Sequence, residues 1–418
     1  MFKWIGTLTV EVRSMAVSKM FHVKQSLSAL SAAIGLVFIV ILNSACGAQL
    51  ANPEGWSPPV ELTDSTILAQ VDRGRVSGVD ISESSNQMLL WTFPEVEVEE
   101  SSDGGGGFLS GLFGGGSDSK FSDDPFYAKP LIIGRDDIYL VSNSGIVRKL
   151  SLSNGVTEIP AEIWVTELEE KVISSPVLVG GDLYIATDQG SIFKIAANSG
   201  EILQRWPTGT DRIWSSLHVY ENRLVLADIS KGQMFFLDLV AGEIVFELDL
   251  GGGVPGDGLF VNQSGYVGTF GSELLRIDLR EPKVDWRTPT DGWIVGQPVI
   301  DASSLYAATS RGSIYAVDVN SGQVIWSRSY FESNFRARPV IYRDSLLLVD
   351  REGLVFALEL DTGNKLWESA TGRKTDANPI LIGDMLVLLT KDNQLLEVDA
   401  RSGSSRLLFS KRLDRTDD

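Results

Sequence analysis

The sequence predicts an all-β chain that closes as an eight-bladed β-propeller of four-stranded antiparallel blades. Three observations predict it: a unit of about 41 residues that recurs along nearly the whole chain, a turn glycine at a fixed place in each unit, and a large aromatic residue near each unit's end. A blade buries neither face until its neighbours pack against it, so a repeat of this length has to form a ring.

The unit is plainest at Leu183 to Gly190 (LYIATDQG), which is followed by SIFKI, then by Ser199-Gly200 and Trp206. Two runs of β-branched and aromatic residues flank a turn whose glycine supplies a positive φ, the pattern of a hairpin. Aligned on that turn, the units fall at Gly74, Gly145, Gly190, Gly232, Ser272, Gly312, Gly353 and Asn393, at intervals of 71, 45, 42, 40, 40, 41 and 40. A second marker precedes each turn by 13 to 15 residues: Pro59-Val60, Pro130-Leu131, Pro176-Val177, Leu217-His218, Leu259-Phe260, Pro298-Val299, Pro339-Val340 and Pro379-Ile380. A third follows it, with Phe246, Trp286, Trp326, Trp367 and Leu407 fourteen residues on and Trp91, Trp164 and Trp206 slightly later. These aromatics and turn glycines are expected to serve packing between blades.

In chain order the elements are a leader, a tether, an interrupted propeller and a tail. Residues 1–45 carry Lys3, Arg13, Lys19 and Lys24 ahead of the apolar run Leu27 to Leu42, and end in Asn43-Ser44-Ala45 before Cys46, a positive region, a hydrophobic region and small residues at a cleavage point. A start at Met20 would shorten this leader. The small residues before the chain's only cysteine resemble the lipobox of bacterial lipoprotein signals, which implies lipidation of Cys46, with Asn43 standing where that family prefers leucine. An uncleaved anchor and ordinary signal cleavage are the alternatives, and each leaves the rest of the chain outside the cytoplasm. Residues 46–55 read as a tether, 56–410 as the propeller and 411–418 as a tail.

The long first interval locates an insertion at residues 95–124, whose removal restores the period. It holds eight acidic groups, one lysine (Lys120) and the glycine-rich run GGGGFLSGLFGGG, a composition expected to be disordered between blades 1 and 2. Phe108, Leu109, Leu112 and Phe113 break its polarity and form a candidate secondary contact for a partner or a membrane, against the plainer reading of a solvated tether.

Composition narrows the chemistry. With 36 Lys and Arg against 55 Asp and Glu, the net charge of -19 repels a phosphate backbone and excludes nucleic acid as a partner. Two histidines, one of them (His22) in the leader, exclude multi-histidine metal sites, and one cysteine excludes an intrachain disulfide. His218 falls on an innermost strand, where a packed channel residue is expected. The neighbours Glu169 and Glu170 read as a solvated pair with side chains facing apart. No phosphate loop is present, and Gly251 to Gly253 precede no helix.

Gly312 to Trp326 (GSIYAVDVNSGQVIW) and Gly353 to Trp367 (GLVFALELDTGNKLW) resemble, almost position for position, the repeat of pyrroloquinoline-quinone-like (PQQ-like) propellers, and the resemblance covers about residues 56–409. It implies the fold and two functional branches. The quinoprotein dehydrogenases of sugars and alcohols hold a quinone and a calcium ion on the axis, commonly beside a disulfide of adjacent cysteines. This chain has no such cysteine pair and lacks the long inter-blade insertions of those enzymes. The other branch, the BamB-like outer-membrane assembly lipoproteins, is lipid-anchored, of this size and non-catalytic. The expectation is therefore an extracytoplasmic lipoprotein scaffold, not an enzyme and without a cofactor, whose partner is another envelope protein of the β-barrel assembly kind. A quinone-dependent dehydrogenase and a surface ligand-sensing or adhesive module are the alternatives.

A partner face is sought in the loops that enter the innermost strands. They carry Arg212, Trp214, Trp293, Phe335, Arg336, Arg338, Arg373 and Lys374, a basic and aromatic concentration in an acidic protein. Exposed Trp, Phe and Arg dominate protein interfaces because they join apolar area to directional hydrogen bonds. The competing reading has the aromatics plug the channel entrance and the arginines pair with acidic loops.

Overall fold

In the computed structural model, which describes residues 57–82, 88–95 and 124–410, eight four-stranded antiparallel sheets follow one another along the chain. They are blades 1 (60–93), 2 (131–167), 3 (177–207), 4 (218–249), 5 (259–289), 6 (299–329), 7 (340–370) and 8 (380–409), each with its strands, here a to d, in sequence order. Cys46, the insertion hydrophobics Phe108, Leu109, Leu112 and Phe113, and the leader, the tether residues 46–55 and the tail from 411 lie outside the described residues.

The ring is closed by hydrophobic packing. Eight buried clusters occur, and each joins the strands of two consecutive blades, the eighth setting Ile67, Val71 and Val79 of blade 1 against Val387, Leu389 and Leu395 of blade 8. Among the described residues no strand is shared between the first and last blades, and side-chain packing joins them. Strand d is outermost and reads largely exposed, as in Ala161–Glu167, whereas the b and c strands of every blade are buried.

All eight predicted turn residues take a positive φ, Ser272 and Asn393 included. Gly190 shows a second reason for glycine: a Cβ there would stand 1.7 Å from the Thr210 carbonyl oxygen of the following loop. The aromatic marker is an inter-blade latch. The indole N–H of Trp164, Trp286 and Trp326 donates to the carbonyl of Ala197, Val319 and Leu360 in the next blade's c–d turn, at 3.1, 3.1 and 2.8 Å. The glycine of that same turn lies under the ring, since a Cβ on Gly322 or Gly363 would come within 2.8 or 2.6 Å of Trp286 or Trp326. The Ser/Thr-Gly and Trp signals of the repeat are thus two halves of one contact.

The residue two before each strand a forms a ring around the axis, bonded blade to blade. The backbone N–H of Lys129 donates to Ser175 Oγ (3.0 Å), that of Ser175 to Ser216 Oγ (3.3 Å), that of Ser216 to Asp257 Oδ1 (2.7 Å) and that of Arg338 to Asn378 Oδ1 (2.8 Å). Between blades 5 and 6 the direction reverses, with Gln297 Nε2 donating to the Gly258 carbonyl (2.7 Å). The residue before each ring member is small, and most, such as Ser174, Ser215 and Ala377, are buried, because neighbouring blades approach closely there. A Cβ on Gly256 would sit 2.0 Å from the Val295 carbonyl oxygen.

Candidate functional site

The loops from strand d to strand a and the b–c turns form one face. Backbone bonds stitch them together: Ile229 N–H to the Arg212 carbonyl (3.0 Å), Ser310 to Trp293 (2.8 Å), Arg351 to Asn334 (2.9 Å) and Lys391 to Lys374 (2.8 Å). Every described residue expected for the partner face belongs to these loops, so the topology brings them to one side of the molecule.

Their exposure differs from the expectation. Phe335 is 1% exposed. A bridge to Asp350 turns its side chain into the packing between blades 6 and 7, edge-on to Phe356 at 5.7 Å, so it cannot meet a partner. The exposed ring of that loop is Phe331, at 86%. Trp293 is half-buried and sits edge-on to Phe270 at 4.9 Å. Phe270, Trp293 and Phe331 therefore lie on successive loops of blades 5 to 7, an aromatic arc of which only Trp293 was singled out from the sequence. Trp214 is half-buried and its indole donates to Asp188 Oδ1 at 2.7 Å.

The basic residues divide. Arg373 pairs with Asp392 at 3.0 Å and Lys374 with Glu352 at 2.8 Å, so the two are neutralised by acidic b–c turns. Both pairs are exposed and contribute little to stability. Deeper in the same quadrant, Asp376 holds Arg351 (2.9 Å) and Lys391 (2.7 Å) at once. Arg212 is exposed at φ 60°. Arg336 is half-buried. Arg338 belongs to the axial ring, where burial lowers its pKa and the charge of Asp257 opposes the shift. Lys129, also in the ring, has its pKa lowered first by burial and next by the charge of Arg338.

Two polar residues named from the sequence occupy structural places. His218 stacks on Phe260 across the blade 4–5 boundary at 4.2 Å and 6°, and burial lowers its pKa, so it is neutral at pH 7. Glu169 faces solvent, but Glu170 does not. It is buried and accepts hydrogen bonds from Thr187 Oγ1 (2.5 Å), Ser191 Oγ (3.0 Å) and Arg205, a correction to the solvated pair that arises because the loop folds back onto its own b–c turn. Among the described residues no three of His, Cys, Asp and Glu gather as a metal site.

A family model described as "Outer membrane protein assembly factor BamB" matches residues 204–406. Among solved structures, the chain is similar to BamB from Moraxella catarrhalis, with 16% identity over 81% of this chain and 92% of that one and a TM-score of 0.61. It is also similar to a computationally designed protein, Ika8, at 11% identity over 82% and 96% and a TM-score of 0.62. A third likeness is to quinohemoprotein alcohol dehydrogenase from Comamonas testosteroni, at 11% identity over 68% and 66% and a TM-score of 0.58. At these identities the likenesses establish the fold alone. A search among curated proteins finds no match.

Proposed function

We propose that this chain, residues 204–406 of which match the BamB family model, is a non-catalytic, lipid-anchored envelope scaffold that docks a second protein, a β-barrel assembly component, on its loop face. One observation carries the reading: Phe331, 86% exposed, stands on the same face as Trp293 and Trp214, in the arc begun by Phe270. A single exposed phenyl is ordinary, but aromatics on consecutive loops beside cations supply the anchors that protein interfaces use. Arg336 lies on the loop of Phe331, Arg212 on the loop entering blade 4, and the neutralised pairs of Arg373 and Lys374 on the loop entering blade 8, all on the same face. The family likeness supports a protein partner and an extracytoplasmic place, and Cys46 would be the lipid attachment.

A photo-crosslinking residue at 331 in envelope membranes tests the docking. The expected adduct is with a component of β-barrel assembly, it weakens when Trp293 is changed to Ala, and it is absent when the crosslinker replaces Val240, an 82% exposed residue of a c–d turn on the opposite face. Equal adducts from both faces would contradict the assignment. Quinone- and calcium-dependent oxidation of an alcohol or sugar by the purified chain would replace it with the dehydrogenase reading. Cys46→Ala is expected to release the protein from membranes into the soluble fraction.

A further inference from the structure

Two members of the axial ring do not fit the ring's own bonding rule. Where the rule holds, a ring residue offers a short side-chain acceptor to the backbone N–H of the blade before it, as Ser175, Ser216, Asp257 and Asn378 do. Lysine and arginine have no acceptor to offer. At Lys129 the misfit is silent, because the ring position of blade 1 is Pro58, which has no N–H. At Arg338 it is not silent, because the residue before it in the ring is Gln297, whose N–H the guanidinium cannot receive. The Arg338 side chain also carries an unmet donor: its Nε is buried with no hydrogen-bond partner among the described residues. An unpaired buried donor costs stability, and here it belongs to a group that is always charged. The ring therefore gives up an inter-blade bond to place this guanidinium at the axis.

The surroundings make the centre electropositive. Lys129 reaches solvent and yet is desolvated by surrounding protein, as a side chain in a narrow opening would be, and it feels the charge of Arg338. Among the described residues one carboxylate, Asp257, acts on both cations, and it already accepts the Ser216 N–H at 2.7 Å. Two crowded cations against one shared anion leave an excess positive charge together with an unmet donor.

We propose that Lys129 and Arg338 form an oxyanion site at the mouth of the propeller axis, and that its occupant is a carboxylate of an acidic side chain from the docked protein. Guanidinium and carboxylate match in plane and spacing, and a charge-assisted pair gains strength where water is thinned out. The occupant rests on the docking reading. The anion site does not, and it is tested without a partner.

The intact chain in detergent is melted at matched ionic strength with sodium succinate, sodium phosphate or sodium chloride, so that general screening cancels. Succinate is expected to raise the midpoint above chloride by about 2 °C or more at a concentration well above its dissociation constant. Lys129→Gln and Arg338→Gln each abolish the rise, whereas Arg73→Gln, in a b–c turn of blade 1, retains it. Arg338→Asn also abolishes it but restores a short acceptor to the ring, so its ligand-free midpoint rises by about 1 °C. A succinate response that survives both Gln variants overturns the site. A fall in the Arg338→Asn midpoint overturns the bonding argument, and a larger response to phosphate than to succinate overturns the carboxylate assignment. If Arg338→Gln does not fold, Lys129 decides: its acetylation, followed by mass spectrometry, slows at least twofold in succinate, and no slowing overturns the proposal. Loss of the anion response with the crosslink at 331 intact would sink this inference while leaving the docking face in place.

Discussion

Changing Gly363 to Ala should destabilise the propeller through two separable effects. The residue sits at φ 68°, and an alanine there costs about 1 kcal/mol because its Cβ crowds the backbone. The new methyl would also stand 2.6 Å from Trp326, a ring that is 8% exposed and held by a 2.8 Å bond to the Leu360 carbonyl. Neither the ring nor the turn can give way without losing that bond or the packing, so overpacking adds about 1–3 kcal/mol. Gly383→Ala isolates the backbone effect: its φ is 60°, nothing lies within 4 Å of the added methyl, and Ala302 already occupies the equivalent a–b turn of blade 6 at φ 48°. Urea unfolding followed by far-ultraviolet circular dichroism should therefore find Gly363→Ala the worse of the two by about 1–3 kcal/mol. In a Trp326→Leu background the excess should vanish, leaving about 1 kcal/mol. An unchanged cost for Gly363→Ala in that background would refute the latch, because the methyl would then have been clashing with something else.

Phe331→Ala should leave the melting midpoint within a degree of wild type, whereas Phe335→Ala, four residues along the same loop, should cost about 3–5 kcal/mol through the cavity it opens, as read by the same urea series. In Asp318 and Asp399, hydrogen bonds from Ser321 and Ser402 hold the carboxyl pKa below its ordinary value. A depressed folded-state pKa gives stability that is present above the unfolded value, near 4, and lost as pH falls through the folded one. Asp318→Asn is therefore expected to be less stable than wild type at pH 7 and equal to it near pH 2, and a constant difference across that range would contradict the assignment. Hydrogen exchange read by mass spectrometry should find strands c and d of blade 8 exchanging faster than those of blade 6, because Arg406 lies opposite Glu397 where blade 6 sets Trp326 opposite Ala316.

Much of the fold was legible because the repeat writes the same b–c turn eight times. The turn positions could be read even at Ser272 and Asn393, since spacing and not glycine identified them, and the Trp and Ser/Thr-Gly signals were both visible before their meeting across a blade boundary was. The site was less legible. Whether Phe331 or Phe335 faces solvent depends on one backbone bridge to Asp350, which pairs residues fifteen apart and leaves no mark on local pattern. The neutralisation of Arg373 and Lys374 depends on Asp392 and Glu352, brought alongside by b–c turns nineteen and twenty-two residues away. The axial ring was missed altogether. Its signal was present as a small residue followed by a polar one before most of the Pro or Leu markers, as in Ser174-Ser175 and Ser215-Ser216, but it acquires meaning only once equivalent positions are known to touch.

Eightfold repetition makes departures from the pattern informative, because each blade serves as a control for the others. Leu407 departs from the Trp signal of the repeat, and loss of a latch at the seam where blades 8 and 1 meet is a tolerable weakening. Arg338 departs in the opposite sense. It removes an acceptor the ring uses elsewhere, leaves its own Nε buried and unbonded, and sets a second cation within the field of Lys129. Substitutions that merely drift tend toward loss of an interaction on the surface, where the penalty is small. A substitution that leaves a buried guanidinium Nε without a partner runs against that tendency, and the proposed docked state is the one that would bring this face new neighbours.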